Sequence, residues 1–361
     1  MMKIRISFLF LFLSFFSFPA NGKQIELFMD WRSDGKGTFT VPEGVPIEQL
    51  PLESRIRKRL LERGWDLSFW ERDFYRPWLI GWSGVKSWQE LKWRLGWGLA
   101  DPVKKETAFW VFWSLGPKLK EFDFGRAPKE KLVLFIWEPP SVQPEAHDPK
   151  VHAQFGKIFT WDDDLVDQRR FFKFYYPVLR PRIEEIPSFE SKKFCTLIAR
   201  RLCSKHPKQL YSEREKTIRF FEDKPGEFDL YGFYWEKRGY KNYRGHVPDK
   251  IDTLKNYKFC ICYENTRDVK GYVTEKIFDC FSAGSVPVYW GASNITDYIP
   301  EGCFIDRRKF ADELSLYNFL KQITKEEYER YLECAAEFLK SPAAKPFSQE
   351  FFVETFLNLL N

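Results

Sequence analysis

The chain has 361 residues, of which 44% are hydrophobic and 30% charged, and its net charge at neutral pH is +6. This composition is typical of a globular protein of about two domains, and it excludes a disordered chain, a collagen and a coiled coil. The charge is too small to indicate nucleic-acid binding by itself, so we expect no nucleic-acid partner. Aromatic residues reach 19%, and 12 of the 14 tryptophans precede residue 200. We expect these rings to divide between the core and a cleft that stacks on sugars.

Residues 1–22 have the pattern of a secretory signal peptide. Lys3 and Arg5 precede an apolar run over residues 6–19, and Ala20-Asn21-Gly22 offers a cleavage site. The run of about 14 residues is shorter than the roughly 20 that a membrane-spanning helix needs, so a short N-terminal anchor is the second interpretation. We therefore predict a protein of the secretory pathway or one that associates with a membrane through its N-terminus. In a eukaryotic cell this would be a Golgi-type lumenal location.

The seven cysteines show neither CxxC nor Cys/His zinc spacing. Cys260 and Cys262 lie two residues apart in a strand-like run, so their side chains should point the same way. We expect most of the cysteines to be small core residues. The sequence leaves open whether an oxidising compartment pairs some of them.

The N-terminal half predicts a helix within residues 47–63 and a strand at residues 131–137. The strand KLVLFIW is almost wholly apolar, which is typical of a strand buried on both faces of a parallel sheet. Pro139 and Pro140 end it and leave Glu138 at its carboxyl edge, where open α/β sheets bind ligands. A second strand is expected at residues 158–161.

The C-terminal half alternates strands with helices. Strands are predicted at residues 194–199, 229–232, 257–263 and 286–290, and helices at 213–221, 275–283, 312–323, 325–339 and after Ser348. The charged stretch 180–193 lacks a core pattern and marks the domain boundary. The fold class is therefore α/β, with two domains and a cleft between them. We assign residues 23–190 to an N-terminal domain, 191–345 to a C-terminal domain and 346–361 to a C-terminal helix.

The densest group of polar residues lies between residues 263 and 291. Asn265 opens a turn after a predicted strand, and Thr274-Glu275-Lys276 lies at the start of the next helix. Free N–H groups and the helix dipole favour an anion there, and Lys276 adds full charge. The carboxylate of Glu275 can accept the hydroxyls of a ribose. The pattern fits a site for a nucleoside diphosphate. From the residues alone, the alternative is a surface helix with a solvated Glu–Lys pair.

This segment resembles the nucleotide-sugar motif of the α1,3/α1,4-fucosyltransferases, glycosyltransferase family 10. Tyr263-Glu264-Asn265, the run YVTEK at residues 272–276 and the strand AGSVPVYWG at residues 283–291 follow in the family's order. The resemblance covers about residues 197–310. Thr266 stands where the family commonly has serine, and the Trp-rich region before residue 120 has no counterpart in the family pattern.

The resemblance implies a GT-B fold, in which two Rossmann-like domains face a cleft. It implies an inverting transfer of L-fucose from GDP-β-L-fucose to O3 or O4 of N-acetylglucosamine or glucose in a glycan acceptor. By the motif, Lys276 would hold a phosphate and Glu275 the ribose. Asn265 and Tyr272 would line the donor pocket.

The same resemblance implies roles for an arginine and a glutamate outside the motif. Arg214, near the start of a helix, would neutralise the leaving β-phosphate because its planar fork grips phosphate at two points, with Arg219 as the alternative. Glu138 would be the general base that takes the proton of the attacking hydroxyl, and partial desolvation would raise its pKa. The alternative for Arg214 is a charge on the exposed face of a helix. The alternative for Glu138 is a carboxylate in a turn that caps the backbone.

Two further motifs have less direct interpretations. Residues 162–164, three aspartates, imitate the DxD metal motif of other glycosyltransferases. The GT-B resemblance implies that an arginine and a lysine replace the metal, so we expect no required cofactor, no metal site and a solvated turn at the aspartates. Asn294-Ile295-Thr296 is a glycosylation sequon inside the donor motif.

Two rival functions remain from the sequence. One is another GT-B glycosyltransferase that uses a different nucleotide sugar. The other is a secreted carbohydrate-binding protein that uses its tryptophans without catalysis.

Overall fold

The computed structural model describes residues 23–28, 41, 44–69, 107–115, 124 and 127–358. The predicted signal peptide or anchor at residues 1–22 lies outside these ranges, as do seven tryptophans of the N-terminal half. Within the described ranges, no helix is both long enough and apolar enough to cross a membrane.

Among the described residues, the first sheet has six parallel strands in the order β2-β1-β3-β4-β5-β6. Their bounds are Lys23–Phe28 for β1, Trp65–Phe69 for β2, Thr107–Phe112 for β3, Leu132–Ile136 for β4, Lys157–Thr160 for β5 and Phe171–Lys173 for β6. Every side chain of β4 is buried, as expected for a central strand covered on both faces. The predicted strands at residues 131–137 and 158–161 are thus confirmed as β4 and β5.

The second sheet has five parallel strands in the order β11-β10-β9-β7-β8. Their bounds are Lys193–Ile198 for β7, Phe228–Tyr231 for β8, Tyr257–Tyr263 for β9, Val286–Trp290 for β10 and Ile305–Asp306 for β11. The strand order reverses direction between β7 and β9, and ligands of such sheets bind at that point, outside the carboxyl ends of the strands. No described strand belongs to both sheets. Residues 174–192 connect them, and the domain limits assigned from the sequence stay a prediction.

The α-helices of the described ranges follow the same alternation. They are Leu52–Glu62 (α1), Pro149–His152 (α2), Tyr211–Phe220 (α3), Lys250–Leu254 (α4), Glu275–Ala283 (α5), Glu313–Gln322 (α6), Lys325–Lys340 (α7) and Gln349–Leu357 (α8). The helix predicted within residues 47–63 divides at Pro51 into a 3-10 turn and α1. A proline has no N–H to donate, so it lies just outside the first turn of α1.

Helix α8 returns from the second domain to the first sheet. Phe352 and Phe356 are each 1% exposed and lie in one core cluster with Trp113 and Phe135. The ring centroids of Phe356 and Phe135 are 5.8 Å apart and those of Phe352 and Trp113 are 5.7 Å apart. The last described helix therefore completes the hydrophobic core of the first sheet.

Five of the seven cysteines are buried, Cys334 is half-buried and Cys203 is exposed, and all seven are free thiols. Cys260 and Cys262 lie on β9 and share a core cluster with Cys280 of α5. Most cysteines are therefore core residues, as the sequence predicts.

The contact of α8 with the first sheet predicts a clear difference between neighbouring phenylalanines. Phe352→Ala and Phe356→Ala should each lower the free energy of unfolding by about 3–5 kcal/mol, because each leaves a cavity in the core. Phe351, which is 42% exposed on the same helix, is the matched control, and Phe351→Ala should cost less than about 1 kcal/mol. Urea denaturation measures all three, and equal losses would contradict the packing of α8.

Candidate functional site

A cavity of about 320 Å³ opens at the carboxyl ends of β7, β8 and β9. It lies at the point where the strand order of the second sheet reverses, the expected ligand position in this architecture. Ala199 follows β7, Gly232 and Phe233 follow β8, and Asn265 follows β9. Its charged lining consists of Arg200, Arg214, Lys250, Glu275 and Lys276. The cavity therefore brings together four of the five donor-binding residues predicted from the sequence.

Arg214 is anchored to the end of β9. Its side chain comes from α3, the residue is 3% exposed, and Nη2 donates to the main-chain oxygens of Tyr263 at 2.6 Å and Glu264 at 2.8 Å. Nη2 also lies 3.1 Å from Oδ1 of Asn265, which accepts a third bond. Burial lowers the pKa of Arg214 from its ordinary value, and the guanidinium stays charged because that value is above 12. Arg219, the sequence alternative, points to the exposed side of α3.

Glu264 is a carboxylate with no exposed surface at the end of β9. Its Oε1 accepts from the main-chain N of Thr274 at 2.9 Å, and its Oε2 accepts from Thr274 Oγ1 and from Lys276 Nζ, each at 2.8 Å. A buried charge is tolerated when it is both paired and hydrogen-bonded in this way. Glu264 thereby fixes the start of α5 and holds the ammonium of Lys276 beside the cavity.

Glu264 has no predicted role from the sequence, although it lies within the motif Tyr263-Glu264-Asn265. The available signal was an acidic residue immediately after the apolar strand YKFCICY. The sequence also predicts an external anion at the start of α5. In the structure the carboxylate of Glu264 already accepts the N–H of Thr274, the residue that precedes this helix. An anion in the cavity would therefore depend chiefly on the side chains of Arg214 and Lys276.

Glu275 and Lys276 form the charged floor of the cavity. Their carboxylate and ammonium lie 3.5 Å apart, and Lys250 Nζ lies 3.9 Å from the same carboxylate. Burial favours the neutral acid, but Lys276 and Lys250 outweigh it and lower the pKa of Glu275 to about 2. Burial likewise disfavours the charged form of Lys276. The carboxylates of Glu264 and Glu275 outweigh this effect of burial, so the pKa of Lys276 is raised. Both groups are therefore ionised at neutral pH.

Tyr272 lies one layer behind the cavity wall. Nδ2 of Asn265 donates to the Tyr272 hydroxyl at 3.3 Å. Tyr272 is 1% exposed, and its ring packs on Trp161 with centroids 4.7 Å apart. Trp161 follows β5 of the first sheet, so Tyr272 belongs to the core of the opposite domain. Asn265 lines the cavity directly, whereas Tyr272 supports it from the domain interface.

Glu138 faces this group from the first domain. Strand β4 ends at Ile136, and His147 Nε2 makes a 2.8 Å hydrogen bond to the main-chain oxygen of Glu138. Ser141, three residues further on, donates its hydroxyl to the main-chain oxygen of Asn265 at 3.3 Å. The turn that carries Glu138 therefore contacts the end of β9 in the other domain.

The carboxylate of Glu138 is well suited to accept a proton. Its Oε2 is buried and makes no hydrogen bond among the described residues. Burial is the main cause that raises the pKa of Glu138, Lys276 opposes it, and Glu275 adds to the rise. A carboxylate with a raised pKa beside a polar cleft is a recognised candidate for acid–base chemistry.

The site thus combines Arg214 and Lys276 of the second domain with a candidate proton acceptor, Glu138, of the first. Arg214 and Lys276 can hold an anion such as a diphosphate. Within the part of the chain that the structure describes, no group of three or more His, Cys, Asp or Glu residues is arranged to hold a metal ion.

The family model "Glycosyltransferase family 10 (fucosyltransferase) C-term" matches residues 190–351. Over 70 residues, 19% of this chain, the sequence is 43% identical to an alpha-(1,4)-fucosyltransferase of Arabidopsis thaliana, of which 17% is covered. Over 204 residues, 55% of this chain, it is 29% identical to a mouse 4-galactosyl-N-acetylglucosaminide 3-alpha-L-fucosyltransferase, of which 51% is covered. The matched region thus spans about half the length of the mouse relative and less of the plant one.

Solved structures share the fold at low sequence identity. An alpha1,3-fucosyltransferase crystallised with GDP-fucose aligns with a TM-score of 0.53 and 15% identity, over 94% of this chain and 90% of that one. TarM aligns with a TM-score of 0.50 and 12% identity, over 72% of this chain and 55% of that one. These likenesses confirm the predicted GT-B arrangement of two Rossmann-like domains.

The burial of Glu264 predicts a large effect of removing one charge. Glu264→Gln should lower the free energy of unfolding by about 3–5 kcal/mol, because the amide N–H groups face Thr274 or Lys276, which are donors themselves. Glu301, whose exposed carboxylate pairs with Lys309, is the matched control, and Glu301→Gln should change stability little. Urea denaturation compares the two variants, and a neutral Glu264→Gln would contradict this account of the site.

Proposed function

We propose that the protein is an inverting fucosyltransferase, because residues 190–351 match the model of the glycosyltransferase family 10 C-terminal domain. The donor is GDP-β-L-fucose, and the acceptor is a hydroxyl, O3 or O4, of N-acetylglucosamine or glucose in a glycan. The observation that carries the proposal is the opposition of Glu138, on the first domain, to Arg214 and Lys276 on the second. The similarity to fucosyltransferases of Arabidopsis thaliana and mouse supports the choice of sugar.

The diphosphate of the donor occupies the cavity of the second domain. Lys276 Nζ holds one phosphate, and the guanidinium of Arg214 neutralises the β-phosphate as it leaves. Glu275, kept ionised by Lys276 and Lys250, accepts the hydroxyls of the ribose. Asn265 lies between Arg214 and the domain interface, where the fucose ring meets the first domain.

The reaction joins the two domains. Glu138 takes the proton from the acceptor hydroxyl, and the oxygen forms a bond to the anomeric carbon of fucose. The bond from that carbon to the β-phosphate oxygen breaks at the same time, and GDP leaves with the electron pair. Attack on the face opposite the leaving group inverts the β configuration of the donor to α in the product.

We propose that the transfer requires no cofactor and no divalent metal. In a metal-dependent enzyme, a cation balances the charge that develops on the leaving diphosphate. Here two protein cations, Arg214 and Lys276, lie on the cavity wall and can supply that charge. The predicted secretory location, the cleaved or anchored state of residues 1–22 and membrane association stay predictions.

Arginine at position 214 should matter for nucleotide binding, and arginine at 219 should not. We expect Arg214→Lys to weaken GDP binding about tenfold to a hundredfold, because a lysine lacks the planar fork that grips phosphate. Arg219→Lys, the same change on the exposed side of α3, should leave the affinity unchanged. Isothermal titration with GDP measures both, after thermal denaturation has shown that each variant folds. Equal affinities would remove Arg214 from the donor site.

Glu138→Gln should abolish transfer from GDP-fucose to a panel of N-acetylglucosamine and glucose acceptors while GDP affinity stays within about twofold of the parent. The parent protein should lose kcat/KM as the pH falls, since Glu138 must be ionised to act. Because its pKa is raised, the midpoint of this loss should lie above 4.5, the ordinary value. Transfer by Glu138→Gln at the parent rate, or a midpoint at or below 4.5, would exclude Glu138 as the base.

The parent protein also separates the proposed function from its rivals. Binding of a different nucleotide sugar, without binding of GDP-fucose, would indicate another GT-B transferase. Glycan binding without any dependence on GDP and without transfer would indicate a carbohydrate-binding protein. Either result would overturn the proposed function.

A further inference from the structure

A partly buried polar network joins the two domains beside the site. Asp163, in the turn after β5, directs Oδ1 to Lys173 Nζ at 2.6 Å and Oδ2 to Asn294 Nδ2 at 2.9 Å. The hydroxyl of Tyr298 also donates to Asp163 Oδ2 and accepts from Lys173 Nζ at 2.9 Å. Asp163 and Lys173 belong to the first domain, and Asn294 and Tyr298 follow β10 in the second. We call these four residues the interdomain latch.

The latch is largely withdrawn from solvent. The side chain of Asp163 is 25% exposed and that of Lys173 is 12% exposed. The expectation of a solvated aspartate turn therefore describes Asp164, which is 63% exposed and pairs with Lys270, and fails for Asp163. Both N–H groups of the sequon residue Asn294 are used inside the protein, by Asp163 and by Asp297.

The latch also contacts the loop that connects the site residues Asn265 and Thr274. Oδ1 of Asn294 accepts from the main-chain N of Gly271 at 2.9 Å. Gly271 has φ +81°, and a Cβ atom there would lie 2.2 Å from the main-chain oxygen of Trp161 and 2.9 Å from Asp163 Oδ1. Only glycine fits such a close approach with this backbone conformation. The loop is thus fixed against the first domain by the latch.

We propose that the interdomain latch positions the two halves of the reaction relative to each other. Nucleotide binding uses Arg214 and Lys276, which are both on the second domain. Transfer additionally needs Glu138 of the first domain at the correct distance from the donor. Asp163, Asn294 and Tyr298 are therefore positioning residues for transfer, an inference that rests on the proposed function.

The chemistry of Asp163 makes it the most informative residue to change. All of its partners are donors, namely the ammonium of Lys173, the amide of Asn294 and the hydroxyl of Tyr298. An asparagine has the same shape, but its NH₂ group must face one of these donors in either orientation. Asp163→Asn therefore breaks the latch with little change in volume. Tyr298→Phe is a milder second variant that removes one donor, and Asp164→Asn is the matched control in the same turn.

The kinetic test separates positioning from binding. Asp163→Asn should lower kcat for transfer about tenfold or more, since a displacement of about 1 Å between reacting groups has effects of this size or larger. Tyr298→Phe should lower kcat by a smaller factor. GDP affinity by titration should stay within about twofold in both variants, and Asp164→Asn should match the parent in kcat and affinity. Parent-like kcat in Asp163→Asn, or an equal loss in Asp164→Asn, would overturn the proposal.

A second measurement tests the latch without any activity. Amide hydrogen exchange of the loop 268–273 should be faster in Asp163→Asn and Tyr298→Phe than in the parent, while strand β9 keeps its protection. Asp164→Asn should leave the loop unchanged, because the ion pair of Asp164 with Lys270 of this loop is exposed to solvent and contributes little. Loop protection equal to the parent in both latch variants would overturn the latch itself. If the parent neither binds GDP nor transfers fucose, the proposed function fails, and the exchange data still decide whether the latch holds the loop.

Discussion

The bond between the buried carboxylate of Glu264 and its donors is the interaction on which the site depends. Removing an ion from water costs several kcal/mol even after relaxation, so this carboxylate is stable only with Thr274 and Lys276 in place. The main chain of Glu264 is hydrogen-bonded as well, because its oxygen accepts from Arg214 and its N–H donates to the main-chain oxygen of Trp290 at 2.8 Å. One residue therefore fixes α3, α5 and β10 around the end of β9. Arg214 and Lys276 both take their positions in the cavity from it.

The sequence predicts those parts of the fold whose signal is local. β4 and β9 are short apolar runs with clear ends, and α5 has an apolar face followed by Gly284, so their bounds agree with the structure to within a residue. β6 and β11 were missed because strands of three and two residues carry no periodicity. Asn265, Glu275 and Lys276 are predicted through a motif, and the structure places them in one cavity. The partners of Asp163 and Glu264 depend on contacts between distant segments, which no local pattern contains.

The high content of aromatic residues is explained in part by the interface between the two domains. Trp113 and Trp137 have ring centroids 5.1 Å apart, and Trp137 also packs against Tyr176 at 5.5 Å. The ring centroids of Tyr176 and Tyr272 are 6.0 Å apart, and Tyr272 is a residue of the second domain whose ring packs into the core of the first. The rings thus form a continuous path from the first sheet to the residue that supports Asn265. Large, rigid side chains of this kind bury much area at low cost in conformational entropy, which suits a joint that must hold Glu138 at a fixed distance from the cations.

The return of α8 to the first sheet has a consequence for how the protein is made. Ribosomes add about 5–20 residues per second, and an N-terminal domain usually folds before the next is complete. Here the core around Trp113 and Phe135 includes Phe352 and Phe356, so it is incomplete until they are translated. That happens on the order of ten seconds or more after β6. During that interval Trp113 and Phe135 lack the cover that Phe352 and Phe356 give them in the folded protein. We therefore expect the nascent chain to be prone to aggregation, and to bind chaperones, until α8 has been made.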